Sequence, residues 1–198
     1  MSEHDSLKDV REVLGSPQPG ADLEPEQFSQ HHFVGSHITF KTERLEAYNL
    51  GNNDLPEAIM LETLDLRNND CVRARHIVFT PDVIPGLLRT FIQAEVQEAN
   101  INTAQAESRP ELPITVGEVV AAIGSSVRVS LDERNGYIDV KISKILRGRG
   151  SVRSGQWAKF SAGDIRPVGR LLLAAYDAIN GTPDAGPTET SAQDDIGF

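Results

Sequence analysis

The sequence predicts an α+β fold: two tandem units, each an antiparallel sheet followed by a C-terminal helix, packed as a pseudo-dimer between disordered acidic tails. Three features of the chain point to it. Two stretches repeat one order of features, with Phe79-Thr80 and Phe160-Ser161 each leading into a helical pattern. Matching residues inside those patterns, Ile84 with Ile165 and Arg89 with Arg170, are both 81 positions apart. Ahead of each helix apolar residues alternate with polar ones, the period of a half-buried strand, and then switch to helical spacing.

Residues 1–30 mix charge with Pro and Gly and show only a weak helical period around Leu7, Val10, Val13 and Leu14, so a flexible acidic arm is expected. Residues 31–99 form the first unit. Its strands come from FVGSHITFKTERLEAYNL, PEAIMLETLDLRNN and the run ending in ARHIVF. Thr80-Pro81-Asp82 reads as an N-cap, a first-turn proline and an acid suited to the helix dipole. Val83, Leu87, Phe91 and Val96, widened by Ile84, Leu88 and Ile92, set the buried stripe of the helix. Residues 100–117 are polar with two prolines and read as a linker.

The second unit covers residues 118–180. Val127, Val129 and Leu131 alternate with Arg128, Ser130 and Asp132, and Asn135-Gly136 before the next run is a type I′ hairpin signal. Ile165, Val168, Leu172, Ala175, Tyr176 and Ile179 give its helix a core face. Aligning Val34-Gly35-Ser36 with Ile123-Gly124-Ser125 places the strand starts, Phe40 and Val129, 89 positions apart. That alignment requires eight extra residues in the first hairpin, within Asn49–Pro56. Phe79 and Phe160 are expected in the core. A unit of some 60 residues buries one sheet face poorly, so the two copies are expected to pack together. Residues 181–198 form a disordered acidic tail.

Net charge is −10 but unevenly placed. Residues 1–30 hold seven acids against Lys8 and Arg11, and residues 184–198 hold four acids and no base. Within the nearly neutral body, residues 141–170 carry eight bases against Asp164 alone. Acid in the tails and base in one patch is a distribution suited to a polyanion. The stretch from Lys141 to Arg153 concentrates Arg147, Arg149 and Arg153 around Gly148 and Gly150, where a loop backbone can approach phosphates closely. A solvated hairpin whose charges prevent edge-to-edge association is the plainer reading of the same residues. The first unit offers only Arg67, Arg73 and Arg75, beside Glu62, Asp65 and Asp70, so the second unit is expected to dominate.

The single cysteine, Cys71, excludes an intramolecular disulfide and fits a reducing compartment. No apolar run approaches the roughly 20 residues that span a bilayer, and the acidic N-terminus lacks the marks of a signal peptide, so a cytoplasmic protein with no membrane partner is expected. The five histidines show no metal-ligand spacing. No Ser-His-Asp motif, phosphate loop or paired-carboxylate signature is present. No enzyme activity, cofactor or metal is expected.

The succession Ile123-Gly124, Val127–Leu131, the turn at Gly136, Ile138-Asp139-Val140-Lys141, Arg149-Gly150, the strand ending at Phe160 and the helix from Asp164 resembles the single-stranded DNA-binding domain of transcriptional positive cofactor four and its bacterial relatives. That family dimerises, which a tandem copy could imitate within one chain, and further pairing into a homodimer is compatible with it. With the base-rich hairpins, nucleic-acid contacts are expected from Arg128, Arg134, Lys141, Lys144, Arg147, Arg149, Arg153, Trp157 and Lys159, with Arg67, Arg73 and Arg75 in the first unit. Arg134 stands where the family has a DNA-stacking aromatic. Phe33, Phe40, Tyr48, Tyr137 or Trp157 are the available replacement platforms. Trp157, lying in a strand, reads first as core or interface packing and second as a platform.

The ending Gln193-Asp194-Asp195-Ile196-Gly197-Phe198 resembles the C-terminal tip of bacterial single-stranded DNA-binding proteins, with Gly197 where that family has Pro. The likeness implies a protein-docking role for Asp194, Asp195, Ile196 and Phe198, with carboxylates for a basic rim and Phe198 for an apolar pocket. The expected function is single-stranded DNA binding and protection in replication, repair or recombination, with DNA-processing enzymes recruited through the tip. Alternatives are a transcriptional regulator on melted or duplex promoter DNA, and an interaction module without a nucleic-acid role.

Overall fold

Alternating burial generates two sheets, and the helical stripes that follow close them. The computed structural model describes residues 3–15, 31–39, 43–50, 58–67, 70–105, 108–121, 125–148 and 151–180. After helix α1 (Glu3–Leu14) come strands β1 (His31–Ile38), β2 (Glu43–Leu50), β3 (Ala58–Arg67) and β4 (Asp70–Phe79), then helix α2 (Ile84–Thr103). The order repeats as β5 (Ile114–Val120), β6 (Ser125–Arg134), β7 (Tyr137–Gly148), β8 (Ser151–Ser161) and α3 (Ile165–Asn180). Each set of four strands is an antiparallel meander, in the orders β1-β2-β3-β4 and β5-β6-β7-β8. The expected pair of tandem sheet-and-helix units is thus present.

Register corrects how the copies align. Gly35 pairs with Ala47 and Gly117 with Val129, and each glycine sits at a β-bulge in its edge strand. Ala47 pairs with Leu61, and Val129 with Ile142. Ile59 pairs with Phe79, and Val140 with Phe160. Equivalent residues are therefore 81 or 82 positions apart from the first strand to the helix. The counterpart of Val34-Gly35-Ser36 lies at Val116-Gly117-Glu118, not at Ile123-Gly124-Ser125. The first hairpin needs no eight-residue insertion. The second hairpin is zipped down to Asn135-Gly136, whose φ of 56° and 78° fit the type I′ turn. The region expected as a linker contains the end of α2 and the first four residues of β5, Ile114–Gly117, which Pro110 and Pro113 disguise as a loop.

The helices exchange sheets. Helix α2 packs on β5 and β6 of the second unit, α3 packs on β1, β2 and β3 of the first, and the helices pack on each other. The bulge glycines show why. A methyl carbon at Gly117 would lie 2.9 Å from Thr90 Cγ2 on α2, and one at Gly35 would lie 3.0 Å from Leu171 Cδ2 on α3. Thr90 and Leu171 are themselves counterparts, so the same close approach occurs twice about a pseudo-two-fold axis. Gly117→Ala is expected to cost about 1–3 kcal/mol through this overlap. Thr90→Ser, which removes Cγ2 but keeps the hydroxyl bond to the Gly86 carbonyl, should restore most of it in urea denaturation. A neutral Gly117→Ala would mean that the helix does not seat closely on β5.

One continuous core results, with Phe79, Phe91 and Phe160 among its largest fully buried side chains. Val96, expected on the buried stripe, is 57% exposed, because α2 meets sheet and helix over a narrower arc than its sequence offers. The Thr80 side chain makes no cap bond, and Pro81–Val83 forms a 3-10 turn ahead of α2. The two sheets approach at β4 and β8 without merging. Instead, the Val78 N–H donates to Gln156 Oε1 at 2.9 Å, and Lys144 Nζ donates to the Val78 carbonyl at 3.0 Å. Side chains of one unit thereby satisfy the open strand edge of the other.

The arm expected to be flexible holds the 12-residue helix α1. Leu7, Val10 and Leu14 are buried against α2 and α3, Arg11 pairs with Asp177, and Arg170 donates to the Leu14 carbonyl at 3.3 Å. Three apolar residues at helical spacing suffice because a ready-made seam receives them. Residues 16–30 and the tail from 181 lie outside the described residues.

Candidate nucleic-acid interface

Each sheet has a face turned away from the helices, and pairing across the strands sets the side chains there in rows. On the second sheet one row is Thr115, Ser130, Lys141 and Lys159, and the next is Glu118, Arg128, Ser143 and Trp157. The corresponding rows of the first sheet are Phe33, Tyr48, Met60 and Val78, then Ser36, Glu46, Glu62 and His76. The duplicated backbone thus displays two lysines, an arginine and an indole in one unit, and a Phe–Tyr pair, a thioether and two facing carboxylates in the other.

Several predicted DNA-binding cations have partners inside the protein. Arg128 holds Glu118 at 3.0 Å across the β5–β6 pair. Lys159 lies 2.8 Å from Asp132 and 3.5 Å from Asp139. Asp132 and Asp139 face each other directly, an arrangement that like charges disfavour, and Lys159 relieves it. The hydrogen bond from Lys159 holds the Asp132 carboxyl below the ordinary carboxylate range, against partial desolvation. Lys144 is committed to the Val78 carbonyl. Outside the predicted set, Arg166 holds Glu95 at 2.7 Å. The run of eight bases is therefore partly neutralised by acids from elsewhere in the chain. Only the Asp132–Asp139 opposition was deducible from sequence, from the two-residue hairpin that fixes that register.

Among the described side chains, the remaining predicted cations, Arg75 and Lys141, gather at Trp157. It projects from β8 onto the outer face, half-buried at the junction of the units. The Arg75 guanidinium, from β4 of the first unit, lies 4.1 Å from the ring centroid, and Lys141 Nζ lies 5.6 Å from it. Each cation–indole contact is worth about 0.5–1 kcal/mol when exposed and more when desolvated. The Trp157 ring therefore lies on a sheet face, against a cation from each unit, rather than in the core. Phe33 and Tyr48 meet edge-to-face with centroids 5.6 Å apart. The Tyr48 hydroxyl donates to Glu46, and burial followed by this bond pushes its phenol above the usual range. Tyr137, beside the Asn135-Gly136 turn, is 55% exposed.

The side chains of Arg67, Arg73, Arg134, Arg147 and Arg153, all of Phe40 and Arg149, and the tip residues Asp194, Asp195, Ile196 and Phe198 lie outside the described residues. Backbone pairing still places Arg147 opposite Val152 and Arg153 opposite Leu146, at the far end of the β7–β8 hairpin. Among the described residues no helix is long and apolar enough to cross a membrane. No protein-family profile and no curated protein matches the chain.

Proposed function

We propose that this protein binds single-stranded DNA along the outer face of its second sheet and protects it during replication, repair or recombination in the cytoplasm. The observation that carries this reading is Trp157 flanked by Arg75 and Lys141 on an open sheet face. Guanidinium and indole planes both stack on nucleobases, at about 1–3 kcal/mol per base. An ammonium group beside them suits the following phosphate. A duplex hides its base faces, whereas a single strand offers them. Further phosphate contacts are assigned to Arg147, Arg149 and Arg153 on the charge pattern of the sequence. The pairs Arg128–Glu118 and Lys159–Asp132 fix strand register and neutralise cross-strand repulsion, so affinity rests on few phosphate contacts. Asp194, Asp195, Ile196 and Phe198 serve as the docking tip for partner enzymes, and no catalytic chemistry is assigned to the chain.

Trp157 is the only tryptophan, so its fluorescence reports on this site directly. Titration with oligo-dT is expected to quench it, with an affinity that falls with salt at a log–log slope of about −0.7 per phosphate contact. Arg75→Ala should weaken binding about 5- to 20-fold, in line with loss of one stacked contact. Equal or tighter binding of a duplex would replace this reading with that of a promoter-binding regulator. Absence of salt-dependent binding would leave a protein-interaction module. Deleting Asp194–Phe198 is expected to leave oligonucleotide affinity equal or higher while abolishing capture of partner enzymes.

A further inference from the structure

The pseudo-two-fold axis offers two equivalent sheet faces, and a symmetric protein would bind a strand on each. Register shows what stands at each position of the Trp157 cluster in the opposite unit. The counterpart of Trp157 is His76, that of Lys141 is Met60, and that of Arg75 is Gln156. An indole, an ammonium and a guanidinium correspond to an imidazole, a thioether and an amide. Gln156 is moreover committed to the Val78 N–H, so it helps to join the units. The first sheet also sets Glu46 and Glu62 opposite each other in the centre of its outer face, with Glu46 only 7% exposed and held by Arg44 and Tyr48. The two carboxylates offer a phosphate no donor, and Arg44 beside them is already engaged by Glu46.

We infer that the chain binds one nucleic-acid strand, on the face of the second sheet, and that Lys141 and Trp157 against Met60 and His76 set this choice. The inference rests on the nucleic-acid reading above and adds its stoichiometry. Arg75 gives the first unit a part in the site without a site of its own: it reaches across the junction to complete the cluster around Trp157. Among the described residues each chain therefore has one complete cluster, built from both units.

Calorimetric titration of the full chain with an oligo-dT of about eight nucleotides, within the span that small single-strand-binding folds occupy, tests this. One oligonucleotide per chain is expected. Lys141→Glu should weaken binding at least 10-fold, whereas Met60→Glu at the equivalent position should change it less than 2-fold. Rebuilding the cluster with Met60→Lys and His76→Trp should raise the stoichiometry towards two. Two oligonucleotides per native chain, or equal losses from Lys141→Glu and Met60→Glu, would overturn the inference and leave nucleic-acid binding standing. A rebuilt variant with native melting behaviour that still binds one would also overturn it, because the cluster would not be what selects the face. No binding by the native chain would remove the nucleic-acid reading and this inference together.

Discussion

Phe91→Ala is expected to lower the stability of the whole chain by about 3–5 kcal/mol, the range for emptying an aromatic site in a packed core. Phe91 is fully buried on α2, and its ring meets Phe160 edge-to-face with centroids 5.8 Å apart and planes at 71°. Phe91 belongs to the first unit and Phe160 to the second, so the cavity opens where the two cores are one. The loss should therefore appear as a single transition at lower urea. Trp157 fluorescence, which reports on the second sheet, and circular dichroism, which reports on the whole chain, should shift together. If the Trp157 midpoint stayed in place while the dichroism midpoint moved, the units would be unfolding separately, and the helix exchange would not couple them.

Arg11→Ala is expected to cost about 2–3 kcal/mol, somewhat below the range for breaking a fully buried ion pair because the pair is partly wet. The Arg11 guanidinium forks onto Asp177, with one bond of 2.7 Å from Nη1 to Oδ2 and a second from Nη2 to Oδ1. That hydrogen bonding raises the Arg11 pKa further above its already high ordinary value, so the pair does not titrate at any working pH through its cation. The side chain of Asp177 is 9% exposed and that of Arg11 25%. Removing the arginine therefore strands the more buried charge, and Asp177→Ala should cost less than Arg11→Ala. The double variant should cost less than the two single losses added together, since both remove one interaction. Protease sensitivity within α1 should rise in step. If both single variants cost less than about 0.5 kcal/mol, Leu7, Val10 and Leu14 alone hold the helix.

Much of this architecture was legible because local patterns and global fold agree. Phe79 and Phe160 enter their helices in the same phase, and the Asn135-Gly136 turn fixes one hairpin outright. The misses share a physical cause: they depend on what lies across space rather than along the chain. Strand β5 is half-exposed at an edge, so Glu118 and two flanking prolines masked its period. Helix α1 is too short and polar to be stable alone, and its burial depends on a seam built from α2 and α3. Periodicity says that α2 has an apolar face but not which sheet receives it. At the candidate site, the count of bases in residues 141–170 overstated the patch because Asp132, Asp139 and Glu95 lie outside that window and close on Lys159 and Arg166 within it. Trp157 and Lys141 were legible as candidates, whereas the 4.1 Å approach of Arg75 across units was not.

The exchange of helices between sheets has a consequence for how the two halves can differ. In a dimer of separate identical chains every substitution appears twice, so a change that improves one face is imposed on the other. Joining the copies in one chain replaces a concentration-dependent association with an intramolecular one, at an effective concentration that short tethers bring to the millimolar range. Assembly no longer depends on the two surfaces being alike. Each position of the repeat can then be set independently, so that Lys141 and Met60, or Trp157 and His76, answer to different demands on one shared core.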